Sequence, residues 1–241
     1  MAILTVAKIN SDIAEYEALL DSKASENAVH AFLASHSYFF NGFMALLSDS
    51  PLYSKIRLGS EYVTDFTWVL LTSFGPEWRL VEIEAPEHRI FRADGDFSAA
   101  LNHAVQQVRD WVRWCEENIS TARSLMPAIQ YPMGFVFIGR QSELATQSAR
   151  DKLRQLNYQN RNYVQVRTLD SLAGAAASVK NLVTDYEDET REWELPIPMN
   201  ALSHADLARG LPEEVREALR HPVRDRLLAF RSDQRNRVPE D

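Results

Sequence analysis

Two stretches near the start of the chain carry apolar residues at helical spacing. In residues 3–20 they recur at mixed intervals of three and four, and residues 26–47 continue the pattern. Apolar positions at these intervals fall on one side of a helix, so we predict that both stretches are helical. A Ser50-Pro51 break then ends the helical part.

Two runs rich in β-branched and aromatic residues follow, residues 58–74 and residues 77–86. Gly75 and Pro76 separate them, which predicts two neighbouring strands joined by a turn. From Phe97 to Cys115, apolar residues return at steps of three and four. This stripe predicts a long helix that covers the sheet.

The following segments alternate between strand and helix patterns. Residues 134–139 form a short apolar run, residues 142–156 are helical in pattern, residues 163–167 alternate like a strand, and residues 169–183 are again helical. A hairpin followed by alternating helices and strands predicts an α/β fold with a mixed β-sheet flanked by helices. After residue 183 the chain becomes acidic, proline-containing and polar, so we predict a linker and a short helical tail over residues 184–241.

The composition is that of an ordinary globular protein, with 45% hydrophobic and 25% charged residues in 241. No apolar run reaches the roughly eighteen residues of a membrane span, and the first residues are too polar for a secretory signal. We therefore expect a cytoplasmic protein without a membrane partner. Cys115 is the single cysteine, so it can form no internal disulfide, and its apolar neighbours indicate a packing position on a helix.

The net charge of −8 argues against nonspecific coating of nucleic acid, because most of the surface would repel phosphate. Between residues 140 and 170, basic residues nevertheless outnumber acidic ones. The candidates for contacts with phosphate in this region are Arg140, Arg150, Lys152 and Arg154. A solvated helix face is the alternative interpretation, and the charge pattern alone favours it.

Three carboxylates form the most informative chemical pattern. Glu82 and Glu84 are two residues apart on a predicted strand, so their side chains project from the same face. Asp65, near the end of the preceding predicted strand, joins them if the two strands pair. Converging carboxylates repel one another unless a cation lies between them, and Mg²⁺ prefers oxygen ligands of this kind. Such a site could hydrolyse a phosphodiester, although acidic residues with this spacing are also common at solvated strand ends.

Around these carboxylates the sequence resembles the PD-(D/E)XK nuclease core of Shedu proteins, a family of phage defence. The central matches are G-x-E-x-x-x-D-F (59–66), W-x-L-V-E-I-E-x-P (78–86) and A-x-x-Q-x-x-x-W (104–111). Flanking matches are E-x-x-x-H-x-F-L-x-x-H (26–36), F-I-G-R (137–140) and V-R-T-L-D-x-L (166–172). Each motif is short, but together they keep one order along the chain.

The resemblance implies a restriction-endonuclease-like core over residues 25–183, preceded by an N-terminal helical segment, residues 1–24. It implies that Asp65 and Glu82 are ligands of Mg²⁺ or Mn²⁺, that Gln107 supports the site, and that Glu26 approaches it as a further ligand. Arg140 would contact a DNA phosphate as a bidentate donor. The same resemblance implies a DNA substrate and assembly into homo-oligomers.

One position departs from the family pattern. The motif usually ends in lysine, which stabilises the transition state or activates water, whereas this chain has Glu84. Glu84 could act as a general base or as a further metal ligand, and His88 or Arg89 could supply the missing positive charge.

Two histidines are predicted to be surface or packing residues, and four tryptophans are predicted to be packing residues. His30 and His36 are six residues apart, which is not the spacing of a helical zinc pair. Packing also accounts better than base stacking for the tryptophans, Trp68, Trp78, Trp111 and Trp114.

Three functions from different classes are compatible with the sequence. The first is a metal-dependent DNA endonuclease or nickase in anti-phage defence. The second is a nuclease-like domain that has lost cleavage with the change to Glu84 and binds nucleic acid or a protein. The third is an interaction protein whose acidic strand residues face solvent. The ordered motifs favour the first.

Overall fold

The computed structural model describes residues 3–40, 43, 52–72, 75–184, 193–194 and 201–203. Two short 3-10 helices in these ranges are Ser37–Phe40 and Gln141–Leu144. The α-helices in the same ranges, numbered along the chain, are α1 (Val6–Asp21), α2 (Glu26–Ser35), α3 (Ala99–Glu117), α4 (Ile119–Leu125), α5 (Gln147–Gln159) and α6 (Asp170–Thr184).

Hydroxyl side chains define where four of the described helices begin. Thr5, Ser25, Ser98 and Thr146 each accept a hydrogen bond from the backbone N–H three residues later. Such a cap satisfies one of the free N–H groups of the first turn and contributes about 1 kcal/mol. The starts of α1, α2, α3 and α5 are thus encoded locally.

A five-stranded mixed sheet lies at the centre of the described residues, with the order β2-β5-β6-β7-β8. β2, β5 and β6 are antiparallel neighbours, whereas β7 and β8 run parallel to β6. Two small pairs, β1 with β9 and β3 with β4, lie outside this sheet. The strands are β1 (Ile3–Leu4), β2 (Leu52–Ser54), β3 (Arg57–Leu58), β4 (Tyr62–Val63), β5 (Phe66–Thr72), β6 (Gly75–Ile83), β7 (Met133–Phe137), β8 (Val164–Arg167) and β9 (Trp193–Glu194).

Helices cover both faces of this sheet, so the predicted α/β fold with a mixed sheet flanked by helices is confirmed. Alternate residues of β6 divide between two cores, because successive strand side chains point to opposite faces. Trp78 and Leu80 pack on the side of α3, with Val108 and Trp111. On the other side, α1, α2 and α6 bury Val81 and its neighbours.

One edge of the sheet gathers the ends of several strands. β5 is antiparallel to β6 with Phe66 opposite Val81, so the start of β5 lies beside the end of β6. β7 is parallel to β6 with Phe137 opposite Ile83, so its carboxyl end reaches the same edge. Residues just before β5 and just after β6 are therefore brought together.

The predicted strand over residues 58–74 is wrong in its extent. A small hairpin, β3 and β4 around Gly59 at φ +63°, takes up its first part, and β5 begins at residue 66. Asp65 consequently lies at the start of a strand and not near its end. β2, which pairs with β5, was not predicted, because its three residues are too few for a pattern.

Most of the predicted linker and tail, residues 184–241, lies outside the described residues. The first helix shares its core with the sheet: Ile9, Tyr16 and Leu20 of α1 are buried in the same cluster as Val81. Among the described helices, none combines the length and the apolar character that a bilayer crossing requires.

Candidate active site

Asp65 is fixed at the sheet edge by bonds to β6. Its backbone N–H donates to the Val81 carbonyl at 3.1 Å, and its Oδ2 accepts from the Ile83 N–H at 2.8 Å. The residue is 4% exposed. A carboxylate held by a backbone N–H in a buried position is oriented before any ligand arrives.

Glu82 and Glu84 project from the face of the sheet that α3 covers. They are 8% and 6% exposed, so both carboxyl groups are buried. Gln107 of α3 donates from Nε2 to Glu82 Oε1 at 2.9 Å, and the charge of the neighbouring Asp65 acts on the Glu82 carboxyl. The predicted convergence of Asp65 with Glu82 is thus present. Their burial does not fit the alternative in which these acids face solvent.

The electrostatics of Glu82 reveal a shortage of positive charge. Burial raises the pKa of Glu82 to about 10, and the negative charges of Asp65, Glu84 and Glu26 add to the effect. In the metal-free protein the raised pKa favours the protonated form of Glu82 at neutral pH. A divalent cation would relieve this repulsion, because it favours the ionised carboxylates.

Glu26, the first residue of α2, approaches the same cluster from the opposite layer. Burial raises the pKa of its carboxyl, as do the charges of Asp65 and Glu84, whereas Lys55 and His88 lower it. The same helix contacts Asp65 through His30, whose Nε2 lies 3.2 Å from the Asp65 carbonyl oxygen. The His30 ring also stacks on Phe66 at 4.3 Å between centroids. Helix α2 is thereby fixed against the start of β5.

Lys55 is a site residue that the sequence reasoning missed. It follows β2, its backbone N–H donates to the Asp65 carbonyl at 2.9 Å, and its Nζ lies 2.5 Å from Asp65 Oδ1. The lysine precedes Asp65 by ten residues in a segment without a recognisable pattern. The signal was missing because β2, which positions it, was not predicted.

His88 contacts Glu84, the residue that replaces the usual lysine. Its Nδ1 lies 2.5 Å from Glu84 Oε2, and a turn with the His88 N–H bonded to the Ala85 carbonyl brings it there. Arg89, the other residue considered as a source of positive charge, lies instead 3.5 Å from Glu143. His88 therefore stands at the carboxylate cluster and Arg89 does not.

The donor set suits a hard cation held by two carboxylates. Within the described ranges, no group of three acidic, histidine or cysteine side chains is arranged so that it could hold a metal ion by itself. Mg²⁺ needs no such group, because proteins usually hold it through one or two carboxylates, with water and substrate phosphate completing the shell. The neighbouring carboxyl groups of Asp65 and Glu82 could hold such an ion. The assignment of Glu84 and Glu26 as further ligands stays a prediction.

The four basic residues suggested for phosphate contact have protein partners. Arg140 bonds to Asp170 at 3.1 Å and to Asp21 at 2.8 Å. The other partners are the Leu144 carbonyl for Arg150, the Gly95 carbonyl for Lys152, and Asp151 for Arg154. Their role in binding DNA stays a prediction, and each would have to exchange a bond with protein for one with phosphate.

His36 and four of the tryptophans lie in packed surroundings. His36 stacks on Phe32 at 4.2 Å between ring centroids, and its Nδ1 lies 2.9 Å from the Phe32 carbonyl oxygen. The tryptophans Trp68, Trp78, Trp111 and Trp114 are all buried. The side chains that could act chemically thus concentrate at the sheet edge around Asp65.

Comparisons with known proteins agree with the motif order. Residues 23–173 match the family model described as Shedu protein SduA, C-terminal, and this stretch includes every matching motif from Glu26 to Leu172. No curated protein matches this chain. Among solved structures, the MspJI restriction endonuclease in complex with a 27-mer oligonucleotide is similar, at 12% identity and a TM-score of 0.32. The similarity covers 87% of this chain but 42% of that one, and a likeness this weak assigns no function.

Proposed function

Since the chain belongs to the Shedu family, we propose that it is a metal-dependent endonuclease or nickase that hydrolyses DNA phosphodiester bonds in anti-phage defence. The observation that carries the proposal is the pair of buried, interacting carboxyl groups of Asp65 and Glu82 at one edge of the sheet. Several buried carboxylates beside one half-exposed lysine are unfavourable, so the cluster points to a ligand that supplies further positive charge.

In this proposal Asp65 and Glu82 hold Mg²⁺ or Mn²⁺. When bound, such an ion lowers the pKa of a coordinated water and neutralises the charge that develops on the attacked phosphate. The Ile83 N–H fixes Asp65, and the Gln107 amide fixes Glu82. Both carboxylates are therefore held in place by neighbouring groups, which reduces the reorganisation needed for catalysis.

We assign proton transfer to the Glu84 and His88 pair. The 2.5 Å contact between Glu84 Oε2 and His88 Nδ1 places the imidazole directly against this carboxylate. Glu84 would accept a proton from the attacking water, and His88 would stabilise the resulting distribution of charge. This assignment gives the position usually held by lysine a role as a general base.

The wider setting is also proposed. We expect DNA as the substrate, a cytoplasmic location and a homo-oligomeric state. Because the protein has a net charge of −8, we expect it to bind DNA through a limited surface near the carboxylate edge and not over its whole surface.

A second candidate function is a nuclease-like domain that binds nucleic acid or a partner protein without cleavage. Glu84 in the lysine position favours it, because it adds a negative charge where a phosphate must approach. The two candidates differ in one measurable property, which is metal-dependent strand cleavage.

The test is a cleavage assay on supercoiled plasmid and on single-stranded DNA, with Mg²⁺ or Mn²⁺. The wild type is compared with Glu82→Gln, which keeps the size of the side chain but removes its charge, and with Glu117→Gln, an exposed control at the end of α3. Circular dichroism verifies the fold of each protein. We expect cleavage by the wild type and the control, and its loss in Glu82→Gln. No cleavage with either metal, on either substrate, would favour the binding-only function.

A further inference from the structure

We propose that Lys55 is the catalytic lysine of this site, whose ammonium contacts the scissile phosphate from the turn after β2. The inference rests on the proposed nuclease function. Lys55 lies outside the sequence motif, and it would supply the positive charge that the motif lysine provides and that Glu84 cannot.

The backbone holds Lys55 in place beside Asp65. Ser54 pairs with Phe66 in the β2-β5 ladder, and the Lys55 N–H then donates to the Asp65 carbonyl at 2.9 Å. Lys55 has φ +54°, a left-handed conformation that is uncommon for residues other than glycine. Such conformations persist where the surrounding structure imposes them, and they cluster at functional sites.

The ion pair is asymmetric in its exposure. The Asp65 side chain is 6% exposed, whereas the Lys55 side chain is 44% exposed, and their charged atoms lie 2.5 Å apart. The acid is therefore buried in the cluster while the lysine remains accessible from outside. A phosphate bound beside Asp65 would be within reach of this ammonium.

The charge balance also calls for a cation at this point. Asp65, Glu82 and Glu84 are buried together, and a phosphodiester adds further negative charge when it binds. Arg89 and Arg140, which follow β6 and β7, are paired with carboxylates outside the cluster. Lys55 is directed at the cluster itself, so its ammonium can exchange Asp65 for a phosphate oxygen once Asp65 binds a metal ion.

A matched control exists in α1. Lys8 is also a half-exposed lysine paired with a buried aspartate, at 48% exposure against 1% for Asp12, but it lies on a helix without any of the site residues. Replacing either lysine by methionine removes one surface charge and the lysine partner of one buried aspartate. Each aspartate keeps another partner: the Tyr38 hydroxyl donates to Asp12 at 3.1 Å, and the Ile83 N–H donates to Asp65 at 2.8 Å. Loss of an ion pair should therefore affect folding similarly in the two variants, while catalysis should respond to Lys55 alone.

The experiment measures single-turnover cleavage and Mn²⁺ binding for the wild type, Lys55→Met, Lys55→Arg and Lys8→Met, with folding monitored by circular dichroism. We expect Lys55→Met to slow cleavage by roughly 10²-fold, the scale for removing one transition-state donor, while Mn²⁺ still binds. Lys55→Arg should recover part of the rate, and Lys8→Met should resemble the wild type.

Two results would overturn the assignment while leaving the nuclease function intact. One is a rate for Lys55→Met within about threefold of that for Lys8→Met. The other is that Lys55→Met loses both Mn²⁺ binding and cleavage, which would show that Lys55 only holds Asp65 in position. If the wild type instead fails to cleave DNA with every metal ion tested, the proposed nuclease function is wrong, and the catalytic role of Lys55 is wrong with it.

Discussion

The Gln107 amide on α3 donates a 2.9 Å hydrogen bond to Glu82 Oε1 on β6, linking the covering helix to the carboxylate cluster across 25 residues of sequence. The bond satisfies one oxygen of a buried acid without adding charge. It also makes the position of Glu82 dependent on how α3 packs on the sheet. Gln107 is therefore a positioning residue for the proposed metal ligand.

Replacing Gln107 by leucine should reduce cleavage while the fold is retained. Loss of an orienting partner of a metal ligand typically costs 10- to 100-fold in metal affinity or activity, and we expect a reduction of about tenfold. Gln106→Leu is the matched control, because the exposed neighbouring amide bonds to Asp110 instead. Titration of activity with Mn²⁺ measures the effect, and equal activation curves for the two variants would refute the positioning role.

Removing the charge of Glu82 should stabilise the metal-free protein. The pKa of Glu82 is about 10 in the folded protein and 4.5 without the surrounding fold. The fold therefore favours protonated Glu82: its free energy of unfolding is unaffected by this group below pH 4.5 and decreases as the pH rises from there toward 10. Glu82→Gln keeps the hydrogen-bonding shape without this loss. We expect its free energy of unfolding at pH 8 to exceed that of the wild type by roughly 1–3 kcal/mol.

Urea unfolding from pH 5 to pH 9 in EDTA checks this expectation. The wild type should lose stability relative to Glu82→Gln as the pH increases, and saturating Mg²⁺ should reverse part of the difference. Parallel pH profiles for the two proteins would show that Glu82 is ionised in the metal-free fold and would contradict the account of its environment.

Two glycine substitutions should have opposite effects on stability. A Cβ atom at Gly134 of β7 would lie 1.9 Å from Val108 Cγ1, because α3 packs closely over the strand there. Gly134→Ala should therefore destabilise the protein by about 1–3 kcal/mol. At Gly174 in α6 a Cβ meets nothing within 4 Å, so Gly174→Ala should stabilise it by about 0.5–1 kcal/mol. Urea midpoints measure both, and equal midpoints would refute the close contact between α3 and β7.

Cys115 should report unfolding without taking part in catalysis. Burial raises the pKa of its thiol to about 12, so little thiolate exists at pH 8 and reagents have no access to it. We expect a disulfide reagent to label the native protein at least 100-fold more slowly than the protein in urea. Rapid labelling of the native protein would contradict the burial of this helix position.

The sequence predicted the features that depend only on the periodicity of a single helix or strand. The apolar stripe beginning at Phe97 predicted the helix that carries Gln107, and the two-residue spacing of Glu82 and Glu84 placed them on one face. Both inferences need only the geometry of a single element. The confirmed α/β fold follows from the order of such elements.

Relationships between distant segments were not accessible in this way. Lys55 reaches Asp65 because a three-residue strand, too short to recognise, pairs with β5. Arg140 is held by Asp21, 119 residues away, and no local pattern predicts such a partner. Tertiary contacts also decide which charged residues remain available for a ligand, and charge counting along the chain does not contain that information.

Metal-dependent cleavage of supercoiled plasmid tests the central claim most directly. The wild type would be treated with EDTA, assayed, and assayed again after addition of Mg²⁺ or Mn²⁺, beside Asp65→Asn and the buried-aspartate control Asp12→Asn. The account predicts nicked or linear DNA for the wild type and the control when metal is restored, and intact plasmid for Asp65→Asn. Cleavage that persists in EDTA, or that Asp65→Asn performs at the wild-type rate, would contradict it.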